Sequence, residues 1–238
     1  MDAVQALDLT ALICDIEPAQ RKDGEFFVVY RKDTHPELAK RFLALTRKKF
    51  GRTAARMARN HDIGWPAGSN MLAMSAFIEM ELLQREGLCQ HDGFLLFEPD
   101  CIPLAADWID QLSAEWELTK QAGKEACGHW HQQGDPSTLH MNGNAVFATS
   151  WFSRHANLLV GSGMMGWDYF FREAIIQLSR DTHLIFQHYN RWGADLNFVQ
   201  SIEKNGQRPC FFHGIKTDDG RTSARQMILG QRYLQPIL

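Results

Sequence analysis

GFLLFEPDCIPLAADW, residues 93–108, carries the reading of the fold. GFLLFE (93–98) is almost wholly apolar, as expected of a strand covered on both faces of a sheet. Glu98, Pro99 and Asp100 interrupt it, and Pro99 stiffens the turn. From about Leu104 the pattern changes period. Leu104, Trp108, Ile109, Leu112 and Trp116 fall on one side of a helix, with Asp107, Asp110 and Glu115 on the other. A buried strand that turns sharply into a helix belongs to an α/β architecture. The turn also sits where open α/β sheets bind ligands, beyond the carboxyl end of a strand. Two carboxylates there can hold a divalent cation, and Asp100 can equally serve the turn or cap the helix.

Outward from this stretch the same alternation recurs. FFVVYR (26–31) reads as a strand and THPELAKRFLALTRKKFG (34–51) as a helix. In the helix, Asp33 or Thr34 can cap, Pro36 sits in the first turn, Leu38, Phe42 and Leu45 form the apolar face, and Gly51 ends it. HDIGWPAGSN (61–70) reads as a turn-rich loop and MLAMSAFIEMELLQREG (71–87) as a helix. HWHQQGDPST (129–138) reads as a loop and GNAVFAT (143–149) as a strand. GSGMMGWDYFFREAIIQLSR (161–180) is a Gly-rich turn into a helix. THLIFQH (182–188) and PCFFHG (209–214) read as strands around a helix at 193–204. LTALICDI (9–16), in an N-terminal extension (1–24), reads as an added edge strand. The tail 217–238 is polar, then mildly apolar. With no linker or repeat in the sequence, the economical expectation is one α/β domain spanning 1–238, a mixed, mainly parallel twisted sheet flanked by helices.

Composition narrows the function classes. Hydrophobic residues make up 45% of the 238 and charged residues 22%, enough for a sizeable core. A net charge of −3 with neutral histidines demands no nucleic-acid partner. A basic cluster (40–59), which otherwise reads as a solvated helix pair, and Arg221, Arg225 and Arg232 could still face phosphates. The five cysteines, Cys14, Cys89, Cys101, Cys127 and Cys210, are odd in number and show no CxxC spacing. They read as small core residues of a reducing compartment. No stretch has the length of a membrane span and the N-terminus lacks a signal-peptide pattern, so a cytoplasmic protein is expected. Nothing in the pattern fixes an oligomeric state.

Other segments offer chemistry beside a plainer role. His213, with Gly214 and Lys216, closes an apolar strand and is a plausible metal ligand or a structural histidine. Asn142, Gly143 and Asn144 can read sugar hydroxyls or simply turn the chain. Asp168 can cap a helix or face an acceptor hydroxyl. Trp167 can stack on a sugar ring or fill core. GSGMMG (161–166) satisfies GxGxxG literally but does not follow an apolar strand cleanly, and GxxxxGK[ST] is absent. Cys127, His129, His131 and His140 are compact without the two-group spacing of a structural zinc site.

In order, these residues resemble the GT-A-type nucleotide-sugar glycosyltransferases over about 25–216. The resemblance rests on WPAGSN, EPDCIPLAADWIDQL, HMNGNAVF, GWDYFF and FFHGIK. Phage enzymes that glycosylate hydroxymethylated pyrimidines in DNA belong to the same broad neighbourhood. The resemblance implies a Mn²⁺ or Mg²⁺ ion held by Asp100 and His213, with Glu98 standing where the family has the first Asp of Asp-x-Asp. It implies a nucleotide-diphosphate sugar donor near Tyr30, Arg31, Asp33, Asn70, Glu98, Asn142, Gly143, Asn144, Gly214 and Lys216. It further implies Trp167 on the acceptor side and Asp168 as the catalytic base of an inverting transfer, or as a group that only orients substrate in a retaining one. DNA, a glycan or a protein could supply the acceptor. The alternative is a non-catalytic sugar- or nucleic-acid-binding module on the same fold.

Overall fold

The computed structural model describes residues 3–17, 21–59, 64–132, 134–159, 165–188 and 208–215, with 222 and 226. The expected helix at 193–204, Lys216, Arg221, Arg225, Arg232 and most of GSGMMG lie outside the described residues.

The chain opens on helix α1 (Ala3–Ile16). This corrects the expected edge strand at 9–16. Leu9, Leu12, Ile13 and Ile16 are all buried, and their spacing is helical, with no strand-like alternation. Strand β1 (Arg21–Tyr30), helix α2 (Pro36–Thr46) and strand β2 (Phe50–Met57) then form a βαβ unit, its strands parallel with Phe26 opposite Thr53 and Tyr30 opposite Met57. The α2 cap is His35, whose side chain accepts from the Glu37 amide, so neither Asp33 nor Thr34 caps. The helix also ends earlier than expected.

Residues 50–57 form a strand despite their helix-favouring Ala and Arg content, because tertiary contacts override propensity. Gly51 lets the two strands meet, since a Cβ there would lie 1.9 Å from the Lys22 carbonyl oxygen. The arginines of β2 face acids. Arg52 meets Glu25 at 3.4 Å, and Arg56 reaches both Glu79 and Glu86. Arg59, just beyond, bonds Glu79 at 3.0 Å.

Helix α3 (Ala67–Arg85) begins inside the expected loop. Next come β3 (Gly93–Leu96), β4 (Cys101–Pro103), α4 (Trp108–Gln121), β5 (Ala126–Gly128) and the short pair β6 (Trp130–His131) and β7 (His140–Met141). β8 (Ala145–Ala148), α5 (Trp151–His155), α6 (Trp167–Phe170), α7 (Arg172–Leu178), β9 (Ser179–Asp181), β10 (Ile185–Gln187) and β11 (Phe211–His213) complete the order. The strands form an open, mixed arrangement flanked by helices, in the orders β1-β2, β3-β8-β5-β9, β10-β11-β4 and β6-β7. β5-β9 and β10-β11 are parallel, whereas β3-β8, β5-β8 and β4-β11 are antiparallel. Strand β4 was not expected. CIP is too short to show a period, and it is a strand because β11 pairs with it.

Two aromatic clusters fill the core. Trp108 of α4 stacks on Phe211 at 5.3 Å, and Phe77 of α3 meets Phe147 edge-on at 4.9 Å. All five cysteines are buried and free. Burial pushes the thiols of Cys14 and Cys127 up to about 11 and those of Cys89 and Cys210 to about 12, so they pack as apolar groups. Among the described residues no helix is long and apolar enough to cross a membrane.

A buried charge locks the first helix to the rest. Glu17 is 1% exposed. Its carboxylate accepts from Arg21 Nε at 2.6 Å and Trp108 Nε1 at 3.0 Å, and its carbonyl accepts from Lys49 at 2.8 Å. Arg21 then grips Asp110 with both terminal nitrogens, at 2.8 and 3.0 Å. Removing one partner of such a network leaves a buried donor unsatisfied. Glu17→Ala should therefore lower unfolding stability by about 2–4 kcal/mol. Asp110→Ala, at the exposed end, should cost less than about 1 kcal/mol. Urea-denaturation midpoints of the two variants check this ordering.

Candidate metal centre

The site is built by the β4–β11 ladder. In it Cys101 lies opposite His213. The residue before Cys101 is therefore brought beside the end of β11. The Asp100 carbonyl accepts from the amides of Gly214 and Ile215 at 3.1 and 3.0 Å. Gly214 has φ +117, and a Cβ there would meet the His188 carbonyl oxygen at 2.9 Å. Only glycine fits that conformation and that approach.

The result is a compact triad. His213 Nε2 lies 3.3 Å from Asp100 Oδ1 and 3.4 Å from Glu98 Oε2. One ligand atom from each of the three residues falls within 4.8 Å of the others, and no other such group occurs among the described residues. Asp100 and His213 are 5% and 7% exposed, whereas the Glu98 side chain is half exposed. Two hard carboxylates and one borderline imidazole, open on the Glu98 side, suit an oxygen-loving divalent cation such as Mn²⁺ or Mg²⁺. Asp100 leads into β4, so it caps no helix.

Asn144, 2% exposed, holds the acidic turn from below. Its Oδ1 accepts from the Glu98 amide at 2.7 Å and from the Cys101 thiol at 3.2 Å. Its Nδ2 donates to Glu98 Oε2 at 3.3 Å and to Asn142 Oδ1 at 2.8 Å. Gly143 donates to Asp168 Oδ2 at 3.0 Å, and Tyr169 donates to Asp168 Oδ1 at 3.0 Å. A continuous set of contacts thus runs from Asp168 through 142–144 to Glu98 and His213. Burial raises the Asp168 pKa against the pull of these two amides.

The remaining expected residues fall elsewhere. Asn70 lies in α3 and clamps the α6 entry. Its Nδ2 donates to the Met165 carbonyl at 2.9 Å, and its Oδ1 accepts from the Trp167 amide at 3.0 Å. Trp167 is 5% exposed with its ring against Phe77 and Phe147, so it is core and offers no face for stacking on an acceptor. Tyr30 ends β1. Arg31 and Asp33 beside it form a two-pronged pair at 3.0 and 2.6 Å. Near the triad, the His129 ring stacks on Phe186 and those of His131 and His140 lie 5.7 Å apart, while Cys127 is buried beside Thr119. These four residues do not converge as a zinc site. Gln187 escaped the sequence reading. It is a polar residue closing an apolar strand, as His213 is, and it stands opposite His213 in the β10–β11 ladder.

Burial works to lower the His213 pKa, but the carboxylates of Asp100 and Glu98 outweigh it and raise the ring to about 9. The raised value sets the sign of a pH effect. Stability from this contact is fully present below about 6.5, the ordinary histidine value, and is lost as pH rises through about 9. Metal-free protein should therefore melt at lower temperature on going from pH 6.5 to 9.5. His213→Gln should flatten that dependence in a series of calorimetric melts.

No family model matches the chain, and no curated protein matches it. Solved structures do. One is the mouse xyloside xylosyltransferase 1, apo form, with 11% sequence identity and a TM-score of 0.51 over 90% of this chain and 93% of that one. At that identity the likeness is one of fold. Together with the open mixed sheet and its flanking helices, it gives the chain a GT-A-like α/β fold.

Proposed function

We propose that the chain is a metal-dependent glycosyltransferase, moving a sugar from a nucleotide-diphosphate donor to an acceptor hydroxyl. The observation that carries this reading is the Glu98–Asp100–His213 triad at a strand edge. The GT-A-like fold supports it. We read the whole chain as one catalytic domain.

Asp100 and His213 would hold the cation from the buried side and Glu98 from the open side. When bound, such a cation offsets the negative charge that grows on a departing diphosphate. Gly214, next to His213, and Lys216 are assigned to the phosphates. Asn142 to Asn144 would order the donor sugar while holding the acidic turn. Tyr30, Arg31 and Asp33 are assigned to the nucleoside. We drop Trp167 and Asn70 from direct contact, because a core ring and an amide engaged with backbone serve the α6 entry.

Asp168 is assigned as the base that takes the acceptor proton. Its desolvation helps, since a raised pKa moves a carboxylate toward the working range of a general base. Each of its oxygens accepts one amide and keeps a second lone-pair site for a hydroxyl. Asp168→Asn distinguishes the roles. A base shows a loss of kcat of at least about 100-fold with the fold intact, whereas a turn-holder shows lost stability and a small kcat change.

For the acceptor we favour a carbohydrate hydroxyl over a hydroxymethylated pyrimidine in DNA. The arginines of β2, in the cluster that could have faced phosphate, are spent on Glu25, Glu79 and Glu86. The non-catalytic alternative predicts binding without turnover.

The deciding experiment measures nucleotide-diphosphate release from a panel of nucleotide sugars, with and without Mn²⁺, adding xylosides, other glycosides or duplex DNA bearing hydroxymethylated pyrimidines. Release that needs Mn²⁺ and rises with a glycoside is the expected result. Asp100→Ala and His213→Ala should each reduce it by at least about 100-fold, on the scale of removing a group that stabilises developing charge. Absence of release from every donor, or full activity of both variants, refutes the assignment. DNA-dependent release that falls steeply with salt would move the acceptor to DNA.

A further inference from the structure

Gln187 is 2% exposed and stands directly opposite His213 in the parallel β10–β11 ladder. Residues so paired project to the same face of a sheet. The orientation of its amide is fixed. Nε2 donates to the Asn144 carbonyl at 2.9 Å, and a carbonyl can only accept. Oε1 therefore points away from Asn144, and it is buried with no hydrogen-bond partner among the described residues. On the neighbouring strand, Nδ1 of His213 is also buried and has none. An acceptor and a donor thus stand unsatisfied in one register, an arrangement with a cost for each group left alone. His213 Nε2 meanwhile faces Asp100 and Glu98.

We propose that Gln187 is a positioning residue of the metal centre, its Oε1 accepting the Nδ1 proton of His213 and so presenting the Nε2 lone pair to the cation. The inference rests on the metal reading above and extends it to a residue outside the triad. A histidine ligand needs a partner on its other ring nitrogen to fix tautomer and ring orientation. Gln187 supplies that partner from a neighbouring strand. Through its other end it braces Asn144, which carries the Glu98 turn. One side chain therefore sets two of the three ligands.

Mn²⁺ binding by the full chain, read from the electron paramagnetic resonance of free Mn²⁺, tests this without any substrate. Mg²⁺ is measured by competition. Wild-type protein should bind Mn²⁺ more tightly than Mg²⁺. Gln187→Met should weaken Mn²⁺ binding roughly ten- to hundredfold, the usual effect of losing a ligand's outer partner. Mg²⁺ depends less on imidazole, so its affinity should fall less and the Mn²⁺ preference should narrow. If Gln187→Met does not fold, Gln187→Asn, one methylene shorter, keeps the polarity and removes the reach, with the same expectation. Folded variants that bind Mn²⁺ as wild type does overturn the proposal, as does an equal loss for both ions, which marks general loosening. Wild-type protein that binds no Mn²⁺ is a different failure. It removes the metal reading itself, and this inference with it.

Discussion

The candidate site hangs on the three-residue antiparallel ladder between β4 and β11. It joins the acidic turn to a segment more than a hundred residues later in the chain. The doubly accepting Asp100 carbonyl extends that ladder by one residue, and Gly214 gives it the space to do so. Without the pairing, Asp100 would be an acid at the end of a loop and His213 a histidine at the end of a strand. With it, a buried carboxylate and a buried imidazole share one pocket, and each gives the other's burial a reason. The aromatic packing beneath, with Trp108 on Phe211, supports the ladder from the helix side.

The polar groups around this core are organised in the same way. Asn144 ties together the acidic turn, the 142–144 turn and β10. Asp168 joins α6 to the same turn, and Asn70 joins α3 to the α6 entry. Each is a short side chain bonded to backbone groups, and Asn144 also meets the Cys101 thiol and the side chains of Glu98 and Asn142. Such networks are strong when complete, because the low dielectric that penalises an unpaired group also strengthens a paired one. Side chains that look like substrate-binding groups in the sequence thus also hold the surface on which a substrate would lie.

Much of the fold was legible in the sequence because its long apolar periods leave few alternatives. GFLLFE, GNAVFAT and PCFFHG are strands where expected, and the acidic turn with the late histidine was recognisable as a metal pattern. The misreadings have physical causes. LTALICDI has helical spacing, yet its β-branched and apolar content suggested a strand. FGRTAARM has helical composition, yet the closeness of Gly51 to the neighbouring strand made it β2. Trp167 was read by residue type, while its burial depends on Phe77 and Phe147, distant in sequence. Gln187 gave only a faint local signal, a polar residue closing an apolar strand. Its interest lies in what faces it across a ladder, and register is a property of two segments.

The separation of the sheets has a mechanical consequence. Among the described residues, no backbone ladder joins β1-β2 to the strands that carry the triad. The seam is held by side chains, with Phe26 edge-on to Phe97, Glu25 accepting the Gln90 amide and His91 bonded to the Asp23 carbonyl. Sliding along such a seam exchanges one set of van der Waals contacts for another and breaks no strand pairing. The first two strands are thereby held to the rest by side chains, among them the Arg21–Asp110 pair and the packing of Phe26 and Phe50 into the core that holds Phe97 and Phe211.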